Sequence, residues 1–172
     1  MNDELAKAFV TYSADKLTQL AGRIDDCLGR LSEEQVWTRG TENENAIGNL
    51  TLHLCGNVTQ WIGSGVAGRT DKRDRDSEFA ARGSASVAEL RMRLRATIDD
   101  VAAIVRALSA EDLARRTSVQ KYNLTVLEAV YHVVEHFAGH AGQILFATKL
   151  FTGEDLGYYK HLRGQPHTEK TP

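Results

Sequence analysis

Cysteine and proline are scarce, at two residues each in 172, and the formal charge of −2 shows no excess of positive charge. Each shortage removes a class of protein. Two cysteines, Cys27 and Cys55, are too few for a disulfide framework, and both are read as reduced and buried. Without a net basic footprint, neither nucleic acid nor an anionic membrane is an expected partner. No run approaches the roughly 18 consecutive apolar residues needed to span a bilayer. Met1-Asn2-Asp3-Glu4 lacks the basic and apolar regions of a signal peptide, so a cytoplasmic location is the default expectation. There is also no glycine-rich phosphate loop, no Ser-His-Asp order, no paired carboxylate arrangement and no convincing period-two strand. What is present, 42% hydrophobic and 26% charged residues, is ordinary for a globular chain long enough to bury one core. The expected organisation is one domain over residues 1–163 and a polar tail over 164–172, frayed beyond Arg163.

Helical periodicity accounts for most of the chain. Leu5, Phe9, Tyr12, Leu17, Leu20, Ile24, Cys27 and Leu28 recur at helical spacing and predict a first helix to about residue 31. Ser32-Glu33-Glu34-Gln35 reads as a capping box opening a short turn that ends near Trp37. Asn45 is the expected cap of a second helix running to about residue 66 through Ile47, Leu50, Leu54, Val58, Trp61 and Ile62. Glycines at 48, 56, 63 and 65 weaken that helix, which must therefore be held by packing, and they allow a neighbour to approach closely. The charge run over residues 68–76, leading to Ser77-Glu78-Phe79, reads as a long solvated crossover. Ser86-Val87-Ala88-Glu89 caps a third helix through Leu90, Leu94, Ile98, Val101, Ile104, Val105 and Leu108. Residues 108–113 repeat the pattern of residues 31–36, which hints at two related hairpins. Thr125-Val126-Leu127-Glu128 caps the last long helix, running to about residue 151 and stopped near Gly153. Leu156, Tyr158, Tyr159 and Leu162 are expected to pack back on the body. The fold class is therefore all-α, a four-helix bundle running up-down-down-up around a long middle crossover.

The chemistry lies in the histidines. His132, His136 and His140 follow one another at steps of four on the last helix, whose apolar face is centred on Val130, Phe137, Ala141, Ile144 and Thr148. At roughly 100° per residue, His140 sits nearest the core, His136 about 40° further out and His132 about 40° further again. His136 and His140 thus lie at the rim of the apolar face, and His132 leans toward solvent as an outer or surface residue. On the second helix His53 flanks the Ile47, Leu50, Leu54 and Trp61 face and shares its edge with Asn49, Asn57 and Gln60. If the two polar edges meet, His53, His136 and His140 converge on a metal with coordination positions left open for chemistry. Neutral imidazole suits zinc, nickel, iron or copper. Asn49, Asn57, Gln60 and Gln143 are candidate partners to fix the ring tautomers. A metal-activated water or substrate thiolate would be the nucleophile. Cys55, Trp37, Trp61 and Tyr131 read as core or pocket wall, and His161, His167 and the charge run over residues 69–76 as solvated surface.

The segments Asn45-Ala46-Ile47-Gly48-Asn49-Leu50-Thr51-Leu52-His53-Leu54 and Tyr131-His132-Val133-Val134-Glu135-His136-Phe137-Ala138-Gly139-His140-Ala141-Gly142-Gln143 resemble the DinB/YfiT-like superfamily. The likeness covers nearly the whole chain, and Gly153-Glu154-Asp155-Leu156-Gly157 resembles the ending of its members of unknown function. The resemblance implies a four-helix bundle, commonly dimeric, holding a divalent metal through His53, His136 and His140. Zinc or nickel is the expected ion, with iron or manganese as alternatives. Relatives include S-transferases that use low-molecular-weight thiols such as bacillithiol or mycothiol, and metal-dependent hydrolases or isomerases. A metal-dependent enzyme acting on a small molecule, with a thiol cosubstrate, is therefore the first expectation, and a non-catalytic metal-binding or stress-associated bundle the alternative. The family often places Arg after the last histidine, where this chain has Ala141.

Overall fold

A computed structural model describes residues 2–166 and 169–172; His167, expected at the solvated surface, lies outside the described residues. Four long helices carry the architecture: α1 (Asp3–Arg30), α3 (Ile47–Val58), α5 (Val87–Arg106) and α7 (Val126–Thr152). Short helices α2 (Glu33–Trp37), α4 (Arg75–Ala80) and α6 (Ala110–Ala114) occupy the connections. The capping boxes of Ser32 with Gln35, Ser86 with Glu89 and Thr125 with Glu128 all form, joined by Ser109 with Asp112. Each satisfies two backbone N–H groups that the helix start would otherwise leave orphaned. The start of α3 differs from expectation. Ala46 rather than Asn45 takes the cap position, and the Asn49 side chain reaches back to accept from the Ala46 N–H at 3.2 Å.

Ion pairs fix the helix directions. Asp25, late in α1, binds Arg91 and Arg95 early in α5, whereas Asp15 binds Arg106 at the end of α5, so these two helices run antiparallel. The end of α1 meets the end of α7 through Arg30 and Glu154, 3.0 Å apart, so those two run parallel. α3 runs against α7, with His53 beside His136 and His140, and Trp61 beside His132. The order is up-down-down-up, and the parallel step from α3 to α5 needs the long connection over residues 67–86. Among the described residues, no helix is long and apolar enough to cross a membrane.

The expected inner face of α7 is buried, with Val130, Phe137, Ala141, Ile144 and Thr148 all at most 1% exposed. α1 turns in Ala6, Val10, Ala14, Leu17, Ile24 and Leu28 and leaves Leu5 and Tyr12 exposed. Tyr131, expected in a wall, is also exposed.

Three local structures depart from the periodic reading. α3 does not stay α-helical to residue 66; it widens into a π-helix over Thr59–Val66. Val119 packs against this stretch where Gly65 has no side chain, since a Cβ there would lie 2.2 Å from the Val119 methyl. That valine belongs to a two-stranded hairpin, β1 (Arg116–Val119) and β2 (Tyr122–Thr125), paired antiparallel although the sequence shows no convincing period-two strand. Its turn residues Gln120 and Lys121 have φ of 51° and 69°, as a tight primed turn requires. Finally, residues 169–172 lie along α1 instead of fraying. Arg23 is 7% exposed and needs a carboxylate, which Glu169 supplies through a two-pronged contact.

Candidate metal centre

Packing against α5, α7 and the crossover buries every residue of α3, including the polar Asn49, Thr51, His53 and Asn57. His53, Asn57 and Trp61 follow one another at steps of four and face the His132, His136 and His140 stripe of α7. The two stripes meet as a ladder. The Trp61 and His132 rings lie 4.3 Å apart, centre to centre, and His53 stands 5.0 Å from both His136 and His140.

His53, His136 and His140 each turn one ring nitrogen into a shared space, all three within 4.8 Å of one another. The Nε2 atoms of His53 and His136 are 3.2 Å apart. Two imidazole nitrogens on one tetrahedral zinc stand about 3.3 Å apart, given Zn–N bonds of about 2.0–2.1 Å. His140 Nδ1 is 2.7 Å from Gln143 Oε1, which leaves its other nitrogen for the cluster. His136 Nδ1 is buried without a partner. The three rings therefore suit a divalent ion in donor type and in spacing. His132 is set apart, half-buried over Trp61 with its ring 5.7 Å from that of His136.

Protonation favours ligation. Burial, reinforced by the neighbouring His140, His53, His132 and Arg73, pushes His136 down to about 4. Burial also lowers His140, against an opposing hydrogen bond to Gln143. Near neutral pH these rings are uncharged and offer lone pairs.

Behind His53 lies a buried acid–base pair from the crossover. Glu78 Oε2 stands 3.2 Å from His53 Nδ1, and Arg73 clamps the same carboxylate with its Nε and Nη2, each at 2.8 Å. Burial alone would raise the Glu78 carboxyl, but hydrogen bonds from Arg73 and His53 hold it below its ordinary value. Gln60 accepts from Arg73 Nη1 at 3.0 Å, and Phe79 stacks on His53 at 4.7 Å. His53 Nδ1 is also 3.0 Å from Arg73 Nη2. A proton on Nδ1 is donated to Glu78 and frees the Nε2 lone pair. A proton on Nε2 is donated toward His136 and lets Nδ1 accept from Arg73.

Of the four polar residues expected to orient the rings, Gln143 holds His140 directly and Gln60 acts through Arg73. Asn49 donates to the Glu78 and Ala81 carbonyls and so ties down the crossover, whereas Asn57 Oδ1 is buried without a partner. The reading of residues 69–76 as solvated surface is corrected at Arg73, whose side chain is 4% exposed. The sequence signal for Glu78 and Arg73 is faint: mixed charges dominate their surroundings, and only Phe79 marks the segment as one that packs.

On the solvent side, His132, Glu135, His136, Gly139, His140 and Gln143 line a concavity of about 420 Å³. A substrate can reach the cluster only where such an opening exists.

Residues 4–165 match the family model described as "protein of unknown function (DUF1572)". Among solved structures, a conserved protein from Enterococcus faecalis is similar over 83% of this chain and 96% of its own, at 15% identity and a TM-score of 0.68. A DinB-like protein, YjoA, from Bacillus subtilis is similar over 86% of this chain and 93% of its own, at 14% identity and a TM-score of 0.64. No curated protein matches the sequence. At these identities the two structures speak to the fold alone.

Proposed function

This chain belongs to the DinB-like family described as "protein of unknown function (DUF1572)", and from that premise we propose that it is a metal-dependent enzyme acting on a small molecule. The observation that carries the reading is the convergence of three imidazoles beneath an open concavity. His53, His136 and His140 would hold the ion, zinc or nickel ahead of iron or manganese. Bound by three imidazoles with positions left open, a divalent ion acidifies a water or a thiol and so supplies a nucleophile at neutral pH.

The remaining chemistry belongs to the chain. Gln143 and Glu78 orient their histidines, and the apolar packing of Phe137, Val133 and Trp61 keeps bulk water from the inner side of the rings. Glu135, on the rim of the concavity, is placed to accept a proton or to meet a cationic group of the substrate. A low-molecular-weight thiol is the proposed cosubstrate. We place the enzyme in the cytoplasm as a homodimer, with the exposed Tyr131, Phe146 and Leu150 of α7 as apolar surface that a second copy would cover.

The test is to incubate metal-loaded protein with low-molecular-weight thiols and a panel of electrophiles, and to weigh the products. A product that retains the thiol indicates transfer, and one that gains only water indicates hydrolysis. Turnover should vanish in His136→Ala. One ion per chain with no turnover across the panels would favour a non-catalytic metal-binding bundle.

A further inference from the structure

We propose that Glu78 is a positioning residue for the metal centre, making the crossover between α3 and α5 a working part of the site; this inference rests on the metal-centre reading above. Four observations converge. Glu78 is 6% exposed, an uncommon place for a carboxylate. It stands at Nδ1 of His53, the nitrogen remote from the shared space. Arg73 fixes both of its oxygens, and Asn49 holds the backbone carbonyls around it. α3 makes room for it, because a Cβ on Gly56 would lie 1.8 Å from Glu78 Oε1.

The two neighbours of His53 Nδ1 select opposite tautomers. Arg73, a donor, favours the ring with its proton on Nε2, where the lone pair needed by a metal is blocked. Glu78, an acceptor, favours the proton on Nδ1 and turns a bare Nε2 lone pair toward His136 and His140. Outer partners of this kind set metal affinity by about 10–100-fold. Arg73 then serves chiefly to hold Glu78 in place, with both prongs of its fork on the carboxylate.

The experiment compares Zn²⁺ affinity, by chelator competition, in tag-free wild type and two double variants. Arg73→Met with Glu78→Leu removes the acceptor and both buried charges together, so no unpaired charge is left behind. Arg73→Met with Glu78→Gln keeps a neutral acceptor. The first is expected to bind Zn²⁺ about 10–100-fold more weakly than wild type, with the second between them. Affinities within about threefold of wild type in a folded variant would overturn the role of Glu78. Wild type that binds no Zn²⁺ would instead overturn the metal-centre reading beneath it, and Glu78 would fall with it. A measurement on wild type alone covers the case in which neither variant folds. In long-range ¹H–¹⁵N spectra of the Zn²⁺-loaded protein, His53 should carry its proton on Nδ1, and a proton on Nε2 would refute the assignment.

Discussion

Replacing Gly56 by alanine sets two physical effects of opposite sign against each other. In an ordinary helix interior the change is favourable by about 0.8–1.0 kcal/mol, because alanine loses less backbone freedom on folding. At this position the new methyl would sit 1.8 Å from Glu78 Oε1 and 3.0 Å from Arg73 Nε, well inside van der Waals contact. The carboxylate must retreat by more than an ångström, and its contacts to Arg73 at 2.8 Å and to His53 at 3.2 Å cannot all survive. Losing one charge-assisted bond costs about 1.5–3 kcal/mol, and overpacking of a tight site adds about 1–3 kcal/mol. After the helix-propensity gain is subtracted, a net loss of about 1.5–5 kcal/mol remains. For a chain of this size that lowers the melting temperature by roughly 3–20 °C. Gly22→Ala is the internal control, since it lies within α1 with nothing inside 4 Å of its added Cβ, and it should leave stability unchanged or slightly raised. Thermal and urea unfolding of the metal-free proteins would measure both. If Gly56→Ala is as stable as Gly22→Ala, the Glu78 contact is not packed as described.

Other consequences are equally direct. Because His136 is held at about 4 against an ordinary 6.5, it favours the folded state fully above pH 6.5, and that contribution is lost as pH falls from 6.5 toward 4. Screened by partial exposure, the loss should be about 1–2 kcal/mol in urea unfolding of metal-free protein, and His136→Ala should flatten it; a wild-type curve level from pH 7 to 5 would contradict the assignment. Phe137→Ala, at a fully buried position beside His136, should cost about 3–5 kcal/mol in the same assay. Cys55 is buried and pushed up to about 11 by desolvation, and Cys27 is buried and raised by the same cause, so a thiol reagent should modify neither in native protein at neutral pH and both after unfolding.

The legible parts of this molecule are those that obey a local period. The α7 wheel placed Phe137, Ala141 and Ile144 inside and set His132 apart from His136 and His140, because a helix repeats its directions every few residues whatever it packs against. The capping boxes were readable for a similar reason, as each closes within four residues. What was not legible depends on partners distant in sequence. Arg73 and Glu78 sit in a run of mixed charge that reads as solvent-facing, and their burial follows from a gap at Gly56 and from Asn49 gripping the crossover backbone. The hairpin was hidden because Gln120 and Lys121 lack the side chains that usually signal positive φ, and Val119 gains its place only against Gly65. Glu169 is one more polar tail residue until the buried Arg23 of α1 requires a carboxylate.

The central claim is that His53, His136 and His140 form one metal-binding centre, and metal stoichiometry tests it most directly. Protein purified without a histidine tag, reconstituted with Zn²⁺ or Ni²⁺ and desalted, should retain about one ion per chain by elemental mass spectrometry. His53→Ala, His136→Ala and His140→Ala should each lose it, while His132→Ala should keep it. Wild type that emerges without metal, or a loss confined to His132→Ala, would contradict the account.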